Sequence, residues 1–182
     1  MNKNELRKFV NNQSIDKTRN RFEEKYLLKM LLDFIETKKP TCLGLYAAIL
    51  NEVDLKSIFK IARTMNISIA YPRIEDEQII FHTIDSLDLL VPTLPYGLYE
   101  PVAWAQLATP DVLVVPGIGF TKCGKRLGRG KGFYDCYLSK HNPCTISLAL
   151  SWQLLDDIPT EPHDVLIQHV ISYPQNIYEE TD

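Results

Sequence analysis

The run Val112-Leu113-Val114-Val115, followed at once by Pro116 and then by six of the chain's eight glycines between Gly117 and Gly132, constrains the fold more than any other stretch. Four consecutive apolar residues, mostly β-branched, suit a strand buried on both faces, as in the parallel sheet of an α/β protein. Glycine tolerates φ > 0 and lets the backbone approach a ligand closely. A strand that opens into such a loop, with a helix expected from about Gly132 to Ser139, places N–H donors where an anion can bind. In open α/β sheets ligands sit beyond the carboxyl ends of the strands, which is where this loop falls.

The rest of the chain fits that frame. Helices are expected from Asn4 to Asn11 and again after Ser14 as N-cap. In the second, Phe22, Tyr26, Met30 and Phe34 recur every four residues beside Leu27, Leu31 and Ile35, with Arg21, Glu24, Lys25 and Lys29 facing away. Lys38-Lys39-Pro40 ends it. Cys42 to Ile49 reads as a strand and Asp54 to Met65 as a helix capped by Asp54, with Leu55, Ile58, Phe59 and Ala62 inward. Ile67 to Tyr71, closed by Pro72, and Gln78 to Thr83 read as strands. Asp85 to Pro110 holds four prolines and little periodicity, which predicts a long loop. Further strands are expected at Thr145 to Leu150 and Val165 to Ser172. The fold class is therefore α/β, a single three-layer Rossmann-like domain over residues 1–182. Its central sheet is mostly parallel and flanked by helices, and the helical segment 1–39 packs on it.

Composition limits function. With 182 residues and 45% hydrophobic content the chain can bury one sizeable core, and no apolar run approaches the length of a membrane helix. The four cysteines form no C-x-x-C pair, and the start of the chain lacks an apolar signal region, so a cytosolic protein with reduced thiols is expected. Five cations lie within the ten residues from Lys122 to Lys131, beside Phe120, Phe133 and Tyr134, a pattern that also suits nucleic-acid backbone and bases. A net charge of −3 argues against a polymer-sized footprint. A sugar-phosphate or CoA-ester enzyme is a further alternative by fold analogy. The loop has neither the Gly-Lys-Ser/Thr ending of the Walker loop nor a dinucleotide-binding G-x-G-x-x-G with its acidic partner.

What stands there is V-P-G-I-G-F, then R-L-G-R-G-K-G-F-Y-D from Arg126 to Asp135. This resembles the 5-formyltetrahydrofolate cyclo-ligase family, also called 5,10-methenyltetrahydrofolate synthetase, whose pattern is close to V-P-G-x-x-F and R-L-G-x-G-x-G-[YF]-Y-D. Weaker likenesses follow in Lys3 with Leu6-Arg7, in Asn51-Glu52-Val53-Asp54, in Tyr96-Gly97-Leu98-Tyr99-Glu100-Pro101, and in Asp164 ahead of the last strand. Taken alone, Lys3 and Arg7 also read as a solvated basic face, Glu52 as company for a helix cap, and Asp164 as a turn residue.

The resemblance implies ATP-dependent cyclisation of 5-formyltetrahydrofolate to 5,10-methenyltetrahydrofolate, through phosphorylation of the formyl oxygen, with Mg²⁺. It implies that Arg126, Arg129 and Lys131 are catalytic. Lys3, Asn4, Glu5, Leu6, Arg7, Arg126, Leu127, Gly128, Arg129, Gly130, Lys131, Gly132, Phe133 and Tyr134 are expected at the nucleotide. Ala47, Glu52, Tyr96 and Tyr134 are expected at the folate, over an apolar floor from Ala47 to Leu50. Asp135 is the first-choice metal ligand, although it also suits a helix cap, and Asp164 is the second. The expected partners are the folate and ATP, with no nucleic acid or membrane, and the chain is expected to be a monomer. Arg129 and Lys131 stand where other members carry smaller or neutral residues, and Phe133 replaces a frequent tyrosine, which excludes a hydroxyl role there. Alanine at Arg126 or Lys131 is expected to weaken ATP use with the fold intact.

Overall fold

The computed structural model describes residues 1–13, 17–49, 51–95 and 97–174. Helix α1 (Lys3–Asn11) opens on a capping box: the Asn2 side chain accepts the N–H groups of Asn4 and Glu5, and the Glu5 carboxylate accepts the N–H of Asn2. Helix α2 spans Lys17–Lys38; the expected N-cap, Ser14, lies outside the described residues. Its buried stripe is Leu27, Leu31 and Ile35. The aromatic stripe expected from the four-residue spacing is its shoulder, with Phe22 59% exposed and both Phe22 and Tyr26 edge-on to Tyr173. The two rows adjoin on the helix, and the sheet takes the aliphatic one.

Strand β1 (Cys42–Gly44) is shorter than expected, because the chain leaves the sheet after Gly44 and residues 45–49 cross toward its carboxyl edge. Helix α3 (Lys56–Thr64) buries Leu55, Ile58, Phe59 and Ala62 as expected, and the Asp54 carboxylate accepts the Lys56 N–H. Strand β2 (Ser68–Glu75) does not stop at Pro72. It continues through it into a hairpin with β3 (Gln78–Thr83), turning at Asp76 and Glu77, both with φ > 0. The last β1–β2 pair is Gly44 with Ala70, so no β1 partner remains to need an N–H at position 72.

The expected loop from Asp85 to Pro110 holds an antiparallel pair of its own, β4 (Leu90–Thr93) with β5 (Leu98–Pro101), and then β6 (Leu107–Ala108) on the sheet edge. Strand β7 (Val112–Val114) leads into the glycine loop, part of which is a hairpin of β8 (Gly119–Phe120) and β9 (Arg126–Leu127). Helix α4 (Phe133–Lys140), β10 (Cys144–Ala149) and β11 (His169–Ser172) complete the chain.

The seven-stranded sheet runs β11-β10-β7-β1-β2-β3-β6, parallel from β11 to β2 and antiparallel at β3 and β6. Side chains alternate across β7. Val112 and Val114 pack with α2 and α3, while Leu113 and Val115 pack with Tyr137 and Leu138 of α4, giving the expected three layers. Of the N-terminal helical segment, α2 lies on β10 and β11. Helix α1 packs instead on the hairpin, with Leu6 and Val10 against Ile118, Leu127 and Ile158.

The last strand begins four residues later than expected, because Ile167 is engaged elsewhere. Its N–H donates to the Gly124 carbonyl at 2.8 Å. Gly124 has φ +89, and a Cβ there would run into the Ile167 carbonyl oxygen. Gly124→Ala is therefore expected to cost at least about 2 kcal/mol and to lower the thermal midpoint by roughly 4–8 °C, as read by differential scanning calorimetry.

Candidate active site

Beyond the carboxyl ends of β1 and β7, and alongside the part of β2 that runs on past β1, lies a cavity of about 430 Å³. One wall is the glycine loop. Gly130 and Gly132 hold φ of +100 and +69, and among the described residues no side chain caps α4 at Gly132, so the positive end of that helix suits an anion. Arg7 reaches this wall from α1. Its Nε donates to the Gly128 carbonyl at 2.7 Å, its Nη1 donates to Asn4 Oδ1, and its guanidinium lies over Gly130.

Arg126 is held deeply. Its Nη2 bonds Asp135 Oδ2 at 2.8 Å and its Nη1 donates to the Pro116 carbonyl at 3.2 Å. The side chains of Arg126 and Asp135 are 6% and 14% exposed. The guanidinium carbon is 5.7 Å from the Tyr134 ring centre, and the buried Nε has no hydrogen-bond partner among the described residues. The other Asp135 oxygen accepts the Val165 N–H.

Glu52 stands where the cationic wall meets residues 46–49. One oxygen accepts the Ile49 N–H at 3.0 Å and the other accepts from Arg129 Nη2 at 3.1 Å. Burial pushes its carboxyl above the usual range, against the pull of Ile49 and Arg129. Tyr46 and Tyr134 are also raised by burial, so both present neutral phenols to the cavity.

At the rim, Lys3 Nζ is 2.7 Å from Asp164 Oδ2 and 2.9 Å from Glu161 Oε2. Burial opposes the lysine charge, but these two carboxylates outweigh it and hold its pKa above the usual value. Burial likewise pushes Asp164 up, yet Lys3 and the Glu161 N–H bring it below the usual range. Donor atoms of Glu161, His163 and Asp164 lie within 4.8 Å of one another. The two carboxylates fit the hard-oxygen chemistry of Mg²⁺ better than Asp135, which a cation would have to take from Arg126.

Fourteen of the site residues named individually from the sequence line this one space: Lys3, Arg7, Ala47, Glu52, Arg126, Gly128, Arg129, Gly130, Lys131, Gly132, Phe133, Tyr134, Asp135 and Asp164; of the expected floor Ile49 joins them and Ala48 does not. Four of the named residues do not. Asn4 and Glu5 are turned to the helix start and to Arg7, while Leu6 and Leu127 are buried together beneath the loop. Tyr96 and Leu50 fall outside the described residues. Sequence reasoning missed the opposite wall, formed by Pro72 and Ile74 of β2, Ile79 of β3 and Leu98, Tyr99 and Glu100 of β5. Only the motif Tyr96-Gly97-Leu98-Tyr99-Glu100-Pro101 hinted at it; the rest depends on β2 passing Pro72.

The model of the 5-formyltetrahydrofolate cyclo-ligase family matches residues 1–173. The chain is 33% identical over 132 residues to 5-formyltetrahydrofolate cyclo-ligase of Mus musculus, across 66% of this chain and 65% of that protein. It thus spans just under two thirds of the mouse relative's length, and under half of two further relatives. Among solved structures, 5,10-methenyltetrahydrofolate synthetase of Aquifex aeolicus is similar with a TM-score of 0.82 at 27% identity, over 94% of this chain and 90% of that one. The Mycoplasma pneumoniae enzyme of the same name gives 0.76 at 25% identity, over 94% and 98%.

Proposed function

Because the chain belongs to the 5-formyltetrahydrofolate cyclo-ligase family, we propose that it cyclises 5-formyltetrahydrofolate to 5,10-methenyltetrahydrofolate, converting ATP to ADP and phosphate. One observation carries this reading: a single cavity joins a cationic glycine wall, suited to a triphosphate, to an apolar wall bearing carboxylates, suited to a heterocycle. A formamide oxygen is a poor leaving group. In the proposed reaction it attacks the γ-phosphorus, the bond from that phosphorus to the ADP oxygen breaks, and an iminium phosphate results. The neighbouring N10 lone pair then closes on the formyl carbon, the C–O bond to phosphate breaks, and the N10 proton leaves.

The protein's work is positioning and charge neutralisation. Lys131 and the backbone from Gly128 to Gly132 hold the phosphates, with Arg7 steadying the loop through Gly128. Arg129 links the two halves through Glu52, which faces the folate together with Ala47 and Tyr134. Arg126, bound to Asp135 and Pro116, shapes the loop from beneath and lends its charge at short range. Magnesium, held by Asp164 with Glu161, would neutralise phosphate oxygens. Lys3 holds those carboxylates in this structure and lines the same cavity, so it would be free to meet the nucleotide if they held the ion.

Three of the loop cations are paired with carboxylates, Lys125 with Asp157, Arg126 with Asp135 and Arg129 with Glu52, which supports a small-molecule site over a nucleic-acid track. Among the described residues no helix is long and apolar enough to cross a membrane. The reading places the chain in the cytosol as a monomer. Incubation with Mg-ATP and 5-formyltetrahydrofolate is expected to raise methenyl absorbance in the near-ultraviolet; no rise at high enzyme concentration rejects the assignment.

A further inference from the structure

Glu100 is 5% exposed, yet it lines the cavity. Its Oε1 accepts the Ile74 N–H at 3.2 Å, and among the described residues no lysine, arginine or histidine nitrogen is paired with it. The reason for its place is visible in the sheet. Strand β2 continues past the end of β1, so the Ile74 N–H on that side has no strand partner, and β5 supplies one as a side chain. That single bond leaves most of the acceptor capacity of a buried carboxylate unused. Facing the cavity, the carboxylate is left to solvent, and a ligand that displaces that solvent must supply the donors or meet the cost of stranding it. Every other carboxylate of the cavity is already engaged by a cation: Glu52 by Arg129, Asp135 by Arg126, and Asp164 and Glu161 by Lys3.

We propose that Glu100 is the recognition residue for the paired N–H donors of the substrate's pyrimidine edge, the 2-amino group and N3–H. This rests on the folate reading above and extends it to a residue that reading leaves unassigned. Two adjacent acceptor oxygens match two adjacent donors, and that edge carries the only such pair in 5-formyltetrahydrofolate. The position agrees with the chemistry. The cationic loop follows β7, whereas Ile74 and Ile79 belong to strands on the far side of β1, and Glu100 to β5, which packs on β2. Two strand spacings are roughly 10 Å. With the formyl oxygen at the loop, the pyrimidine edge, at the other end of the bicycle, points to Glu100. A heterocycle offering acceptors at that edge meets a desolvated carboxylate and is rejected.

The test is equilibrium binding of 5-formyltetrahydrofolate, and of an analogue whose 2-amino group is replaced by methyl, to the full-length wild type and to Glu100→Gln. The glutamine keeps an acceptor for the Ile74 N–H, so the thermal midpoint should change little. The wild type is expected to bind the 2-methyl analogue at least 10-fold more weakly than the substrate. E100Q is expected to bind the substrate at least 10-fold more weakly than the wild type, to prefer it to the analogue by less than 3-fold, and to bind Mg-ATP within 2-fold of the wild type. Wild-type turnover with substrate affinity unchanged in E100Q overturns the inference alone. A wild type that binds no folate overturns the proposed function and the inference together. Should E100Q fail to fold, Glu100→Asp takes its place, with the same loss of preference for the 2-amino ligand expected, and equal wild-type affinity for the two ligands overturns the inference.

Discussion

Replacing Arg126 by alanine is expected to lower the thermal midpoint by roughly 6–20 °C and to abolish measurable turnover. Its side chain and that of Asp135 are almost wholly buried against one another. Removing one partner of a buried ion pair strands the other charge and costs about 3–5 kcal/mol, each worth about 2–4 °C in a chain of this length. The Pro116 carbonyl loses a donor as well. From the sequence Arg126 reads as a phosphate ligand whose loss spares the fold; each of its terminal nitrogens also holds a protein group, so its loss is expected to cost the fold as well. Adding Asp135→Asn to the alanine variant separates the two effects. The stranded carboxylate is then neutral, and roughly half the lost stability should return by calorimetry while turnover stays absent. An alanine variant as stable as the wild type would show that the pair does not hold the loop.

What the sequence exposes and what it hides divide along physical lines. The β7 run and the glycines that follow it are local signals, since burial on both faces and φ > 0 each demand particular residues in consecutive positions. Hence the three-layer sheet and the cationic wall are readable in advance. Pro72 misleads because its effect depends on a neighbour: a proline ends a strand only where a partner wants its N–H, and β1 has stopped by then. The α2 stripe misleads because two apolar rows adjoin and only the shape of the sheet selects between them. The β4–β5 pair escapes notice because its four-residue strands carry prolines and no alternation. Glu100 is visible only as part of the Tyr96 to Pro101 motif, and β5 alone places it on the far wall. Ion pairs across more than 70 positions, such as Arg129 with Glu52 and Lys3 with Asp164, have no local signature at all. Residue type marks Lys3, Arg7, Glu52 and Asp164 as candidates, and only the fold makes them neighbours.

Lys131→Ala is expected to separate catalysis from stability, in contrast to Arg126. Lys131 is exposed on the loop and lines the cavity, so its loss should move the thermal midpoint by no more than about 1–2 °C. In phosphoryl transfer the charge to be stabilised develops on the migrating group, and removing one preorganised electrostatic contact costs about 10²–10³-fold in rate. If Lys131 meets the γ-phosphoryl as it moves, kcat at saturating ATP falls by that factor and the KM for 5-formyltetrahydrofolate stays within about 2-fold of the wild type. A role confined to nucleotide binding would raise the KM for ATP and leave kcat intact. Lys131→Arg keeps the charge on a different fork, so it should retain binding of ATP yet recover only part of the rate, because the contact depends on where the charge sits. Steady-state methenyl absorbance with ATP and folate varied in turn reads each of these constants. An alanine variant with unchanged kcat and unchanged KM for ATP would remove Lys131 from the mechanism and leave the phosphoryl group to Arg129 and the backbone of the loop.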